Sequence, residues 1–204
     1  MEIICYHLDP KTKLNFPILP ARNSSIDSIL INEQHLSILS SWIDDQEDDY
    51  VRVPYIFKLL FRATRDGFDA KKFHEICDYK GATLAVISLK NSTDLIGGYN
   101  PLGWRPSHTW WKTSKSFLFS LTKDTSKCIT GNISRVDPGE SDRAILYNRK
   151  FGPSFGGAPN LALTNNQVYC YNSNAYPGSE SFISVGLTEM ANYEVFQIIE
   201  IKNH

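Results

Sequence analysis

A histidine, a carboxylate and a thiol stand together in His74, Glu75, Ile76 and Cys77, the part of the chain closest to a reactive box. Such a set could ligate a metal or supply a nucleophilic thiolate. The helical metal box needs a second histidine four residues after the first, and position 78 is Asp78. A reactive thiolate needs a cationic neighbour or a helix N-terminus. Cys77 instead falls at the end of a predicted short helix, beside Phe73 on its apolar face, with an acid next in sequence. That position predicts an inert, buried cysteine. The four cysteines, Cys5, Cys77, Cys128 and Cys170, are far apart, and no pair has C-x-x-C spacing. Cys128 and Cys170 lie in polar sequence and are candidates for exposure. The five histidines do not cluster in sequence, and no nucleophile–base–acid pattern emerges.

Phosphate and acyl-transfer motifs are missing too. The glycine-rich stretches are Gly97 and Gly98 before Tyr99, and Gly152 to Gly157. Neither carries the lysine and hydroxyl of a phosphate loop. Close backbone packing or a bulge is their expected role, with a ligand-contacting loop as the alternative. A close contact at Gly157 would make Gly157→Val cost about 1–3 kcal/mol. GWRPSHTWWKTSKS interleaves Trp104, Trp110 and Trp111 with Arg105, Lys112 and Lys115. Basic and aromatic residues together can stack on nucleic-acid bases. The formal charge of -1 gives no global attraction to nucleic acid or an anionic membrane. The stretch is read as a loop packing aromatics over a sheet edge, and Trp110, Trp111 and Arg105 are the candidate partner contacts. No catalytic, cofactor-binding or metal residue is assigned.

The elements around these groups follow from pattern. Of 204 residues, 42% are hydrophobic, 21% charged and 12% aromatic, a globular composition with material for a packed core. No stretch approaches the ~20 apolar residues of a membrane-spanning helix. MEIICYHLDPKTK has neither a basic n-region nor a long apolar run, so a reducing compartment and free thiols are expected. Residues 1–30, broken by three prolines, read as a tail or linker, and residues 31–204 as one domain. Leu36, Leu39 and Ile43, flanked by Ile38 and Trp42, predict a helix within residues 26–43 with Asn32 as N-cap. DDQEDD at residues 44–49 is expected to be an exposed loop and lacks calcium-loop spacing. Residues 55–62 alternate as a strand with one apolar face. Arg65, Asp66 and Gly67 are turn chemistry, and Phe68, Phe73, Ile76 and Cys77 fit a short helix. Further strands are expected at residues 83–89, 95–99, 116–121, 144–147, 160–163 and 193–201. The class is β-rich α+β, an antiparallel sheet or sandwich with flanking helices.

Taken in order, these segments resemble the TLDc domain from about residue 31 to residue 201. The resemblance rests on SWID, FKLLFRATRDGFDAKKFHEICDYKGATLAVI, LIGGYNPLGW, KSFLFSL, AILYNRKFGPSFGG and YEVFQI. NPLGW after GGY, together with SWID, is most similar to fungal TLDc proteins with BTB and BACK domains upstream. YHLDPKTK and LPARNSSIDS resemble the segment that joins BACK to TLDc there. BTB and BACK are absent from these residues. A partial product, an engineered fragment and a stand-alone protein all remain open.

The resemblance implies a two-sheet antiparallel β-sandwich flanked by helices, a cytoplasmic protein, no cofactor and no established active site. Animal and yeast relatives protect cells against oxidative stress. They also bind the vacuolar-type proton pump and alter the association of its soluble and membrane sectors. The implied partner is therefore a protein, with the soluble sector of that ATPase as the leading candidate. Recruitment to a vacuolar or endolysosomal membrane would go through it. The family-like positions are Gly67, Phe73, Cys77, Gly81, Gly97, Gly98, Trp104, Phe117, Phe119, Gly152, Phe155, Gly156, Gly157 and Glu194.

Glycines suit tight turns and aromatics suit a core, so Glu194 stands apart, since a carboxylate in an apolar strand is costly to bury alone. It is expected to pair with an arginine such as Arg62 or Arg65, to face solvent, or to bind a partner. Three functional readings follow: a non-enzymatic interaction module, the TLDc half of a BTB-type ubiquitin-ligase adaptor or scaffold, and a thiol-dependent antioxidant enzyme working through Cys77 or Cys128.

Overall fold

A computed structural model describes residues 26–45, 55–123 and 129–201. Most of the N-terminal segment, the acidic run beyond Asp45, and Cys5 and Cys128 lie outside the described residues. Asn32 caps the first helix, α1 (Glu33–Asp44). Its side-chain oxygen accepts from the amides of Gln34 and His35, and the His35 ring reaches back to the Asn32 amide. This reciprocal cap satisfies donors the helix start leaves open. The helix stops at Asp45, whose φ of 50° is left-handed.

Strand β1 (Tyr55–Arg62) leads into two short helices, α2 (Ala63–Asp66) and α3 (Ala70–Cys77). Then come β2 (Thr83–Leu89), β3 (Leu95–Asn100), β4 (Thr109–Trp111), β5 (Phe117–Lys123) and β6 (Ile129–Arg135). The rest is β7 (Ile145–Tyr147), β8 (Ser154–Phe155), β9 (Leu161–Thr164), β10 (Gln167–Cys170) and β11 (Gly186–Glu200). The strands pair antiparallel along one path, β4-β7-β8-β9-β10-β11-β2-β3-β5-β6, with β1 added on β11. The β-rich α+β class holds, but the two expected sheets are continuous through β11. Residues 186–189 of β11 pair with β10, and residues 190–197 pair with β2. Just inside the second segment Ala191 is skipped in the register, a bulge of the kind that bends a strand.

The fold has two cores because strand residues alternate between faces. Ala85, Ile87, Ile96 and Leu118 meet Ile145, Phe155, Leu163 and Val168 in one cluster, which joins the two halves of the path. Leu84, Val86, Phe117, Phe119 and Phe196 point the other way, against Leu39 and Trp42 of α1. Trp42 sits 6.0 Å from the Phe119 ring, and the Tyr55 hydroxyl donates to Asp44 at 2.6 Å. The single apolar face expected for β1 is corrected by the structure. Its register shifts between Leu59 and Phe61, so Phe57 and Leu59 join the α1 side while Leu60 and Phe61 join the other core. One inserted residue reverses the faces.

Candidate partner-binding surface

The helix α3 presents the thiol box, and its groups are committed to structure. His74 Nδ1 lies 2.8 Å from the Asp78 carboxylate, and Nε2 lies 2.9 Å from the Phe151 carbonyl. The ring thus ties α3 to the loop before β8. Cys77 is fully buried beside Phe61 and Phe73. Burial pushes its thiol far above the ordinary range, and Asp78 and Asp66 add to the effect. Cys170 corrects the sequence expectation of exposure. It is 4% exposed on the inward face of β10, and burial pushes its thiol up to about 12. Its polar neighbours in sequence face outward, because alternation in a strand separates adjacent residues.

The glycine and aromatic positions fall into the cores and the turns. Phe73, Trp104 and Phe155 pack together, with Trp104 5.6 Å from each of the other two rings. Phe117 and Phe119 belong to the α1 side. At Gly97 an added Cβ would overlap the Ala85 carbonyl, with Phe119 crowding the same face. At Gly98 it would meet Phe155 at 2.7 Å on the opposite face. Each glycine makes room for one phenylalanine ring. Gly67 follows α2 with φ of 98°, a region that favours glycine. Gly81 precedes β2, and Gly156 lies against Asn160. Gly152 has only ordinary contacts with Leu163 and Tyr193. At Gly157 the nearest atoms to an added Cβ belong to the Arg143 side chain, from 3.0 Å, so the close backbone contact considered for it is absent.

Glu194 is fully buried on β11 and pairs with Arg62 of β1, its register partner, at 2.6 Å. The Ser28 hydroxyl donates to the other carboxylate oxygen, and the Ile29 amide donates at 3.2 Å. Ser28 also accepts from the amides of Leu30 and Ile31. Arg62 reaches Asp27 at 2.8 Å. The carboxylate therefore fastens the segment before α1 to the sheet. Ser28 and Asp27 stand within LPARNSSIDS, but the sequence reading does not single them out. Their one sequence signal is the turn chemistry of a serine shortly before a helix cap.

The three tryptophans of GWRPSHTWW have three fates. Trp104 is core. Trp111 is half-buried, 5.5 Å from Tyr147, with the Arg105 guanidinium 4.6 Å over its ring. Trp110 is 46% exposed. The loop expected here is a strand, β4, on the edge itself, paired through Trp110 with Leu146 of β7. Three residues are too few for alternation to be read. The structure thus brings Arg105 and Trp111 together and leaves Trp110 open to solvent. A recess of about 310 Å³ lies elsewhere, lined by Asp94, Ser120, Thr122 and Asn132 and by Glu180, Ser181, Phe182 and Ser184. Neither Cys77 nor Cys170 opens into it.

The described residues form a β-rich α+β domain with Cys77 and Cys170 buried and with Tyr79, Trp110 and Tyr171 as its exposed large aromatics. The family model of the TLDc domain matches residues 24–201, so the chain belongs to the TLDc family. A search of curated proteins finds no match. No helix among the described residues is long and apolar enough to cross a membrane.

Proposed function

We propose that the chain is a non-enzymatic, cytoplasmic interaction module that docks a preformed surface on a partner protein. Its leading partner is the soluble sector of the vacuolar-type proton ATPase, and the outcome is resistance to oxidative stress. The observation that carries this reading is the TLDc match across residues 24–201. The exposed Trp110 beside the Arg105–Trp111 stack supports it, since tryptophan and arginine are the usual anchors of protein interfaces. The thiol-enzyme reading is disfavoured at Cys77, where the buried thiol is held protonated.

Affinity capture with the full chain from a eukaryotic lysate tests the proposal. Recovery of soluble-sector subunits, followed by altered sector association in purified pump, is the expected result. Recovery of ubiquitin-ligase components without pump subunits would replace it with the adaptor reading. Peroxide consumption abolished by replacing all cysteines with serine would replace it with the enzyme reading.

A further inference from the structure

We propose that the free edge of β4 is a strand-addition site for an acidic, extended segment of a partner protein. This deepens the interaction-module reading and rests on it. Among the described residues the strand path ends at β4, which pairs with β7 alone. An edge strand offers unpaired backbone donors and acceptors to an incoming strand. Here the edge carries Trp110, 46% exposed, in line with exposed His108 and Thr109.

Charge identifies the occupant. Arg105, Lys112 and Lys115 are exposed, and no acidic residue occurs between positions 105 and 115. The whole chain carries -1, so the positive charge is local to this stretch. Among the described residues no carboxylate pairs with Arg105 or Lys115. Lys112 meets Asp142 across a bridge whose side chains are 70% and 74% exposed. Surface bridges of that kind contribute little, so a partner's carboxylate can take the place of Asp142. An incoming strand that sets an apolar side chain on Trp110 turns its alternate carboxylates to the opposite face, where Arg105 lies over Trp111.

Calorimetry at low salt tests the site with a peptide of alternating Glu and Val. The controls are its Lys/Val counterpart, a Glu/Val peptide interrupted by proline, and oligouridine. The Glu/Val peptide is expected to bind, and the Lys/Val and proline peptides to bind at least ~10-fold more weakly. Trp110→Ala, and separately Arg105→Glu, should each weaken Glu/Val binding by about tenfold, with unchanged far-ultraviolet circular dichroism. Amide exchange should slow in residues 109–111 on binding.

No measurable Glu/Val binding, equal binding of the Lys/Val peptide, or tighter binding of oligouridine overturns the proposal. So does Glu/Val binding that neither substitution weakens. Pump subunits captured equally by wild type and Trp110→Ala would overturn the edge assignment and leave the module reading intact. Glu/Val binding without pump capture would overturn the pump reading and leave the edge assignment intact.

Discussion

Glu194 is fully buried, and five groups depend on its carboxylate or on the serine beside it. Replacing it by alanine leaves Arg62 Nε, the Ser28 hydroxyl and the Ile29 amide without their acceptor. Breaking a buried pair costs about 3–5 kcal/mol. Arg62 keeps Asp27 and is part-exposed, which puts the expected loss near the low end, about 3 kcal/mol by urea unfolding. A loss below ~1 kcal/mol would mean that the segment around Ser28 detaches at little cost. Cys77 and Cys170 give a second expectation. Alkylation mapped by mass spectrometry should leave both unmodified in the native chain and label both in denaturant. Labelling of native Cys77 at the rate of a free thiol would contradict its burial.

At this scale legibility followed chemistry. A carboxylate in an apolar strand announces its cost, so Glu194 could be singled out. Ser28 could not, since the hydroxyl that binds Glu194 lies 166 positions away in sequence. Cys77 could be read from its helical face. Cys170 could not, because a four-residue strand gives too little alternation to assign an inward side.

Among the elements, α2 is a single turn held by a side chain. Asp66 accepts from the Arg62 amide at 2.9 Å and from Arg65 Nη2 at 2.8 Å. The Arg65 guanidinium holds its carboxyl below the ordinary aspartate value, and the Arg62 amide assists. A carboxyl depressed in the folded state adds stability above its unfolded pKa of about 3.9 and loses it as pH falls through the folded value. Wild type should therefore be more stable than Asp66→Asn at neutral pH. The gap should narrow below about pH 4. A gap that stays constant on acidification would count against the carboxylate. Among the long elements, α1, β1 and β5 were legible because apolar periodicity persists through them, β2 because it is a β-rich apolar run and β3 because a turn precedes it. β4, β6, β8 and β10 were not. β8 has two residues and β4 three, while ITGNISR in β6 is mostly polar because its outer face meets solvent. The bulge in β1 was hidden as well, since YIFKLLFR alternates without interruption on paper.

The whole molecule turns on β11, which serves both halves of the sheet. Deleting Ala191 removes the bulge and shifts one half of the strand by a residue. A one-residue slip sends each side chain to the opposite face. The deletion should abolish the near-ultraviolet dichroism of the packed aromatics, and retention of a native spectrum would show that the bend lies elsewhere. Gly97 and Gly98 offer a milder test. Gly97→Ala should cost about 1–3 kcal/mol by overpacking against backbone and Phe119. Gly157→Ala should stay within ~0.5 kcal/mol, because Arg143 can move aside. Equal thermal midpoints for the two variants would refute the distinction. The fold class was readable from strand count and turn residues, whereas the union of the halves was not, because no local signal says that one strand will serve both.

The adjacent glycines impose a further constraint. Phe119 enters the sheet from the helix side at Gly97, and Phe155 enters from the other side at Gly98. Only one peptide unit separates the two insertions. The layers are therefore coupled at a point, as two gears share a tooth. A change that enlarges either position presses on both interiors together, so neither layer can drift in sequence without the consent of the other.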